Sequence, residues 1–158
     1  MVTSHVPVPR EIWALKNEDI NFRDLHISAV LLRRYLLIDE PYIALELKIQ
    51  NPSQTTIKEI IVTLIQRRHL SNQNGLVVIF ERSLPDIVDF RNTHLHQTIQ
   101  IPVIPTFEFF APTTFYRNPN IPRETYAVYY VLEVKFKTGL LSSNITLEFP
   151  LFVAHSNR

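Results

Sequence analysis

Histidine spacing gives the chain its one candidate metal site. His94 and His96 lie two residues apart, so on a strand their imidazoles would share a face and could chelate a metal ion. A third ligand would have to come from elsewhere, and His69 is the candidate. Because the pair flanks the apolar Leu95, its expected face is the one turned to solvent. We therefore interpret these residues as solvated histidines at the start of a strand, and we expect no metal.

A catalytic triad can be assembled on paper from Ser83, Asp86 and His94. Serine hydrolysis also needs a strained serine turn and an oxyanion site, and no nucleophile-elbow motif supports the set. The chain has 2 glycines, Gly75 and Gly139, which excludes Gly-rich phosphate-binding loops. The sequence predicts a protein that is not an enzyme and uses no cofactor.

Two pairs of adjacent arginines stand near the ends of predicted strands and are candidate partner-binding residues. They are Arg33, Arg34, Arg67 and Arg68. If both pairs reach one rim, they form a cationic patch with Lys48 and Lys58, and arginine binds phosphate and carboxylate in a bidentate manner. The alternative is solvated charge, or ion pairs with nearby acidic residues. Those residues are Asp39, Glu40 and Glu46.

An aromatic segment between proline-containing flanks is the most unusual stretch. Its aromatic residues are Phe107, Phe109, Phe110, Phe115 and Tyr116. A loop with this much apolar surface must bury it on its own domain, on a partner or in a membrane. Packing on its own domain is one interpretation. The other is a partner-binding loop, since aromatic residues dominate interface hot spots.

Period-two alternation of apolar and polar residues indicates the strands that must carry these side chains. The stretch from Tyr42 to Gln50 places four apolar side chains inside and leaves Ala44, Glu46 and Lys48 outside with Gln50. The inward residues are Ile43, Leu45, Leu47 and Ile49. A half-buried sheet with one wet face is therefore predicted.

Strand candidates and turn residues together predict an all-β fold, an immunoglobulin-like antiparallel β-sandwich of about seven strands. Asn74-Gly75 is a tight-turn signal, after which Leu76, Val78 and Phe80 are expected on one side of a strand. Residues 1–22 are read as an extended segment or linker, and residues 23–156 as the domain. The strand candidates are residues 25–37, 42–50, 57–70, 76–83, 94–103, 126–138 and 144–154.

Composition narrows the class of protein. Of 158 residues, 46% are apolar and 20% charged, which is the balance of a folded domain. A net charge of +1 predicts no nucleic acid partner. The chain has 0 cysteines and no signal-peptide pattern at its start, so a cytoplasmic location is expected.

The order of features resembles the C-terminal domain of the arrestin superfamily, most of all the alpha-arrestins. The resemblance covers about residues 24–154. It rests on a strand ending in Asn51, a strand leading into Leu64-Ile-Gln66, and the Ile101-Pro-Val-Ile-Pro105 segment. A Tyr126 to Phe136 strand and the closing Leu147-Glu-Phe-Pro-Leu-Phe152 complete the order. Departures include Asp39-Glu-Pro41 in place of a Pro-Gly-Glu-like turn and the absence of a Pro-Pro-x-Tyr motif.

This resemblance implies an adaptor for cytosolic sorting or endocytic trafficking of membrane proteins, linked to ubiquitination. Protein partners are expected, namely membrane-protein cargo or trafficking and ubiquitin machinery, with peripheral membrane contact and a homodimer through a sheet edge. The location implied is cytoplasmic, at the plasma membrane or endosomes. The alternatives are a scaffold subunit of a retromer-like complex and a sandwich that binds a small ligand or lipid in a cavity between its sheets.

Overall fold

Two β-sheets packed face to face form the protein. The computed structural model describes residues 17–22, by their backbone, and 24–70, 73–104, 111–117, 119–121, 125–138 and 144–155. The described residues form ten strands and no helix, which confirms the predicted all-β sandwich. The strands are β1 Asn17–Phe22, β2 Leu25–Leu31, β3 Tyr35–Leu37, β4 Tyr42–Gln50, β5 Ile57–Leu70, β6 Gln73–Phe90, β7 His94–Pro102, β8 Thr114–Arg117, β9 Thr125–Thr138 and β10 Asn144–Ala154.

The first sheet has four strands in the order β1-β2-β4-β7, and each neighbouring pair is antiparallel. Its central strand β4 follows the alternation that the sequence predicts, with Leu45 and Leu47 fully buried and Lys48 exposed. Ala44 departs from it, because it is only 8% exposed although it lies on the outer face. A methyl side chain between larger neighbours is covered by them, so its burial does not contradict the register.

The second sheet has the order β3-β10-β9-β5-β6, with β8 also paired to β9. Strand β10 pairs with β9 as far as Leu151, opposite Tyr130, and its last residues then pair in parallel with β3. Strand β8 takes the vacated place beside β9, where Thr114 lies opposite Val128. This exchange brings the end of the aromatic segment into the sheet.

Apolar side chains from both sheets fill the space between them. Six inward-facing residues of β4, β9 and β10 are all in the buried cluster, and none is more than 2% exposed. They are Leu45, Leu47, Leu132, Val134, Leu147 and Phe149. Within the described residues, the interior is occupied by large side chains such as Tyr130, Phe136 and Phe149. The cavity between the sheets that a lipid-binding sandwich requires is therefore not found there.

Several strand boundaries differ from the predicted ones. The first candidate, residues 25–37, is divided into β2 and β3, because the chain leaves the first sheet after Leu31 and joins the second at Tyr35. The backbone of Asn17–Phe22 forms β1 against β2, within the segment read as a leading extension. Residues 1–16 lie outside the described part of the chain.

The hairpin predicted at Asn74-Gly75 is displaced toward the N-terminus. Asn74 pairs with His69 and Gly75 with Arg68 inside the β5–β6 ladder, so the connection falls at residues 71–72, which are not described. The prediction that Leu76, Val78 and Phe80 share one face is wrong, because a register shift at Leu64/Ile65 changes the facing along β6. Leu76 and Val78 point to the outer face at 56% and 44% exposure, whereas Phe80 is buried opposite Leu64.

In the described part of the chain, no helix is long and apolar enough to cross a bilayer.

Candidate partner-binding surface

A buried chain of hydrogen bonds organises one end of the second sheet. The side chains of Gln66 and Tyr130 are both 0% exposed and lie opposite each other on β5 and β9. Gln66 Nε2 donates to the Tyr130 hydroxyl at 2.8 Å, and that hydroxyl donates to the carbonyl oxygen of Ala111. Arg68 Nε donates to Gln66 Oε1 at 2.7 Å. A surface arginine is thereby connected through two buried side chains to the segment that follows the aromatic stretch.

Burial is the largest cause of a raised pKa for the Tyr130 hydroxyl, because a phenolate would lose its hydration there. The hydrogen bond from Gln66 and the charge of Arg68 oppose this effect, and the hydroxyl of Tyr126 adds to it. The neutral phenol is therefore the form that the fold holds, and only this form can donate to Ala111.

The same segment is fixed to β10 by backbone contacts. Thr113 N donates to Val153 O at 2.8 Å, and Val153 N donates to Thr113 Oγ1 at 2.9 Å. Thr114 Oγ1 donates to the Pro112 carbonyl at 3.0 Å. These bonds hold the start of β8 in place, so the two residues that follow, Phe115 and Tyr116, have defined positions beside β9.

On the outer face, aromatic and basic side chains lie together. Phe115 stacks on Tyr129 with ring centroids 6.2 Å apart and an interplanar angle of 17°. Tyr129 lies opposite Arg67 in the ladder, and His69 lies two pairs further on, opposite Ala127. His69 Nδ1 is 2.5 Å from Asn74 Oδ1, and this contact orients the imidazole toward the N-terminal end of β6.

Two adjoining clefts open on this end of the sheet and share His69 in their walls. One is a cleft of ≈ 190 Å³ between β5, β6 and β9, and the other is a shallower one of ≈ 340 Å³ between β5, β8 and β9. Together their described walls contain three arginines, one histidine and four aromatic residues, and no aspartate or glutamate. We name this surface the basic aromatic rim. Its members are Arg67, Arg68, His69, Phe115, Tyr116, Arg117, Tyr126 and Tyr129.

Of the residues that the sequence singled out, the structure brings Arg67, Arg68, Phe115 and Tyr116 to this rim. Residues 107, 109 and 110, the phenylalanines at the start of the aromatic segment, lie outside the described residues. In the described part of the segment, the aromatic side chains pack partly on the domain and remain partly exposed to solvent. Phe115 and Tyr116 are half-buried.

The other arginine pair lies elsewhere along the same end. Arg34 accepts the Phe152 backbone N–H at 3.0 Å through its carbonyl, just before β3. Three strand spacings, roughly 14 Å in all, separate β3 from β5. Arg33 covers the Tyr42 ring at 4.1 Å, and its buried Nη1 has no hydrogen-bond partner among the described residues. Arg33 is therefore a packed cation over an aromatic ring.

The two lysines predicted to join the patch are not at this rim. Lys58 lies at the opposite end of β5 from Arg67, nine residues and roughly 30 Å away. Lys48 belongs to the first sheet, where its Nζ is 3.7 Å from Glu46 Oε1. Glu46 Oε2 also lies 3.5 Å from His96 Nε2, so this acid interacts within its own sheet.

The histidines do not converge. His94 lies beside Thr93 at the start of β7, next to the turn that leads into β5, whereas His69 lies near the far end of β5. No hydrogen bond among the described residues joins His94 to Ser83 or Asp86. The same residues contain no group of three or more His, Cys, Asp or Glu side chains that could hold a metal ion.

Three rim residues were missed by sequence reasoning: Arg117, Tyr126 and Tyr129. Tyr129 occupies an outward position of a predicted strand, which was the one available signal. Its neighbours Arg67 and Phe115 are distant in sequence, so only the strand pairing reveals the cluster.

The fold is a two-sheet β-sandwich with a filled core, and the two clefts described above lie at one end of its second sheet. The chain belongs to the arrestin family: the family described as "Arrestin (or S-antigen), C-terminal domain" matches residues 24–158. Domains of this family are non-enzymatic adaptors that bind protein partners. A comparison with curated proteins gave no match.

Proposed function

We propose that this domain is a cytoplasmic adaptor that binds the cytosolic segments of membrane proteins through the basic aromatic rim. Its task would be sorting or endocytic trafficking, with peripheral contact at the plasma membrane or endosomes. The alpha-arrestins are the subgroup that it resembles. Family membership supports the adaptor role, and the rim supports the choice of surface.

The observation that carries the proposal is the charge of the rim. The whole chain is nearly balanced, with 16 basic and 15 acidic residues, yet the described walls of the two clefts hold three arginines and no acid. Arg67 and Arg117 form no ion pair within the described residues. Their guanidinium groups are therefore available to carboxylates, which arginine binds through two parallel hydrogen bonds.

Aromatic residues beside those charges supply the apolar part of a binding site. Phe115 and Tyr129 form a stacked platform on the outer face, and Tyr126 is 39% exposed. Aromatic and arginine side chains are the residue types that dominate interface hot spots. The complementary partner is an acidic segment with apolar or aromatic residues between its acids.

A link to ubiquitination would require a partner that brings the ligase, since the 158 residues contain no Pro-Pro-x-Tyr motif. We propose that the domain supplies cargo recognition in such an assembly. Binding is then expected to be favoured by low salt, because exposed charges interact within a Debye length of about 8 Å at physiological ionic strength.

The test is binding to an array of synthetic peptides that covers the cytosolic tails of transporters and receptors, followed by titration of the bound peptides. The variant is Arg67→Glu combined with Phe115→Ser. The matched control is Lys58→Glu, a charge reversal on the same strand but at its opposite, exposed end. We expect acidic peptides to be selected, and their affinity to be lost in the rim variant and kept in the control.

Selection of basic or neutral peptides would contradict the proposal, and so would equal loss of affinity in the rim variant and the control. Melting temperatures of all variants show whether the fold is intact. In cells, the rim variant is expected to lose its colocalisation with endocytosed cargo while the control keeps it.

A further inference from the structure

Strand β6 forms one border of the six-stranded sheet, where its only partner strand in the described part of the chain is β5. At 18 residues it is the longest strand, so a long row of backbone groups faces outward. Unprotected edges of this kind pair with other strands.

The two halves of β6 differ in protection. Its C-terminal half, from Glu81 onward, contains Arg82, Pro85 and Asp86, which are the charged and proline residues that normally block edge pairing. The first eight residues, Gln73 to Phe80, contain no charge and no proline. Within this half, the segment Asn74–Val78 is the candidate for pairing with another strand.

Two apolar side chains of that half are uncovered. On the outer face, Leu76 is 56% exposed and Val78 is 44% exposed. Gly75, which precedes Leu76, adds little bulk, and its φ is not positive. A partner strand here would remove apolar surface from water, which is favourable at about 25 cal/mol per Å².

A second copy of this chain meets the requirements of the segment. A neutral, apolar strand is best matched by another neutral, apolar strand, and Asn74–Val78 is its own complement when two copies run antiparallel about Leu76. In that register Leu76 lies opposite Leu76 of the second copy, and Gly75 lies opposite its Val77. Side chains that share a face in one copy then share it across the junction, as antiparallel pairing requires.

Charges do not oppose this arrangement. Arg67 is the ladder partner of Leu76, so the two copies of Arg67 would be three strand spacings apart, roughly 14 Å. This exceeds the Debye length of about 8 Å at physiological salt, so their repulsion is largely screened.

We propose that the protein forms a two-fold dimer by antiparallel pairing of the Asn74–Val78 edge of β6. The paired sheets become one continuous sheet of twice the width. Because Asn74 and Gly75 also line the ≈ 190 Å³ cleft, the dimer sets two basic aromatic rims side by side. That last consequence, bivalent binding, rests on the proposed function; the dimer itself does not.

Single-cysteine crosslinking tests the register, since the chain has 0 cysteines of its own. Leu76→Cys places a thiol on the two-fold axis, opposite its copy and within the Cα separation of a disulfide, about 4.4–6.8 Å. Val88→Cys is the matched control, because Val88 is 60% exposed on the protected half of the same strand. We expect rapid disulfide dimers of full-length Leu76→Cys and slow, collisional ones of Val88→Cys.

Sedimentation equilibrium supplies the second readout. The unmodified chain is expected to dimerise, Leu76→Lys to raise the dimer Kd by about tenfold or more through opposed like charges, and Val88→Lys to leave it unchanged. A strictly monomeric unmodified chain would overturn the proposal. Equal crosslinking rates for the two cysteine variants would overturn the register. Peptide binding by a monomeric chain would separate failure of the dimer from failure of the adaptor function.

Discussion

Removing the Tyr130 hydroxyl tests whether the buried hydrogen-bond chain holds this end of the domain together. In Tyr130→Phe, Gln66 Nε2 loses its acceptor and the Ala111 carbonyl loses its donor. Gln66 is 0% exposed, so water cannot replace the lost partner without opening the sheet. A buried polar group left without a partner costs about 1–3 kcal/mol.

The Ala111 bond is only part-buried, so its loss is expected near the low end of that range. Together the two losses predict a decrease of about 2–4 kcal/mol in the free energy of unfolding. For a domain of this size, that corresponds to a melting temperature lower by roughly 5–15 °C. Urea unfolding followed by circular dichroism measures the change, with an unchanged m-value as the sign that the same surface is exposed.

Tyr129→Phe is the matched control for this measurement. Tyr129 is the next residue on the same strand, but it points to the outer face, and its hydroxyl makes no hydrogen bond among the described residues. We expect a change of less than about 0.5 kcal/mol. If Tyr130→Phe costs no more than this control, the bonds among Gln66, Tyr130 and Ala111 do not stabilise the fold, and our account of this end is refuted.

Three further predictions concern pH, the core and the turn after β4. Because the pKa of Tyr130 is raised in the folded state, the unfolded chain releases the phenol proton first as pH rises. The stability that this hydroxyl contributes is therefore present below pH 10 and is lost as pH rises through the folded-state pKa. Since Tyr130→Phe lacks this contribution, urea unfolding should show that the free energies of unfolding of the two proteins become more similar in alkali. Leu132→Ala and Leu147→Ala should each cost about 2–5 kcal/mol, because both side chains are at most 2% exposed, whereas Leu76→Ala at 56% exposure should cost under about 1 kcal/mol; calorimetry that ranks them otherwise would contradict the core. Asn51→Ala should cost about 2–3 kcal/mol, since Asn51 Nδ2 donates to Thr55 O and Asn92 O and its Oδ1 accepts from Thr55 N, and native-state hydrogen exchange should show faster exchange at Thr55.

Two long strands, β5 and β10, have the bounds predicted from the sequence, residues 57–70 and 144–154. The longest strand, β6, spans Gln73–Phe90 and extends well beyond the predicted residues 76–83, because its C-terminal half contains the charged and proline residues that obscure a strand pattern. The short strands β1, β3 and β8 were not predicted, since three to six residues carry little periodic signal and form strands only because a partner is present. The turn predicted at Asn74-Gly75 is wrong because this dipeptide is also compatible with an edge strand, where glycine needs no positive φ.

The candidate surface was only partly predictable for a related reason. Arg67, Arg68, Phe115 and Tyr116 stand out by composition, but their juxtaposition depends on the β5–β9 and β8–β9 registers. The residues near each position in the sequence do not indicate which strands pair or in which register. The lysines show the converse, since Lys58 belongs to the same strand as Arg67 yet lies at its opposite end.

The place of β5 in the sheet also sets the order in which the domain can fold. Its hairpin partner β6 follows at once, whereas its other neighbour β9 pairs with it across 56 to 81 residues of chain, from Leu70 with Tyr126 to Ile57 with Thr138. During synthesis the β5–β6 hairpin therefore emerges before β9, and Val62 and Leu64, which are buried in the complete fold, are not yet covered. Distant pairings of this kind slow folding to milliseconds or longer. Strand β5 is covered on its β9 side only after residues 126–138 have been made, and until then its apolar side chains are exposed to aggregation.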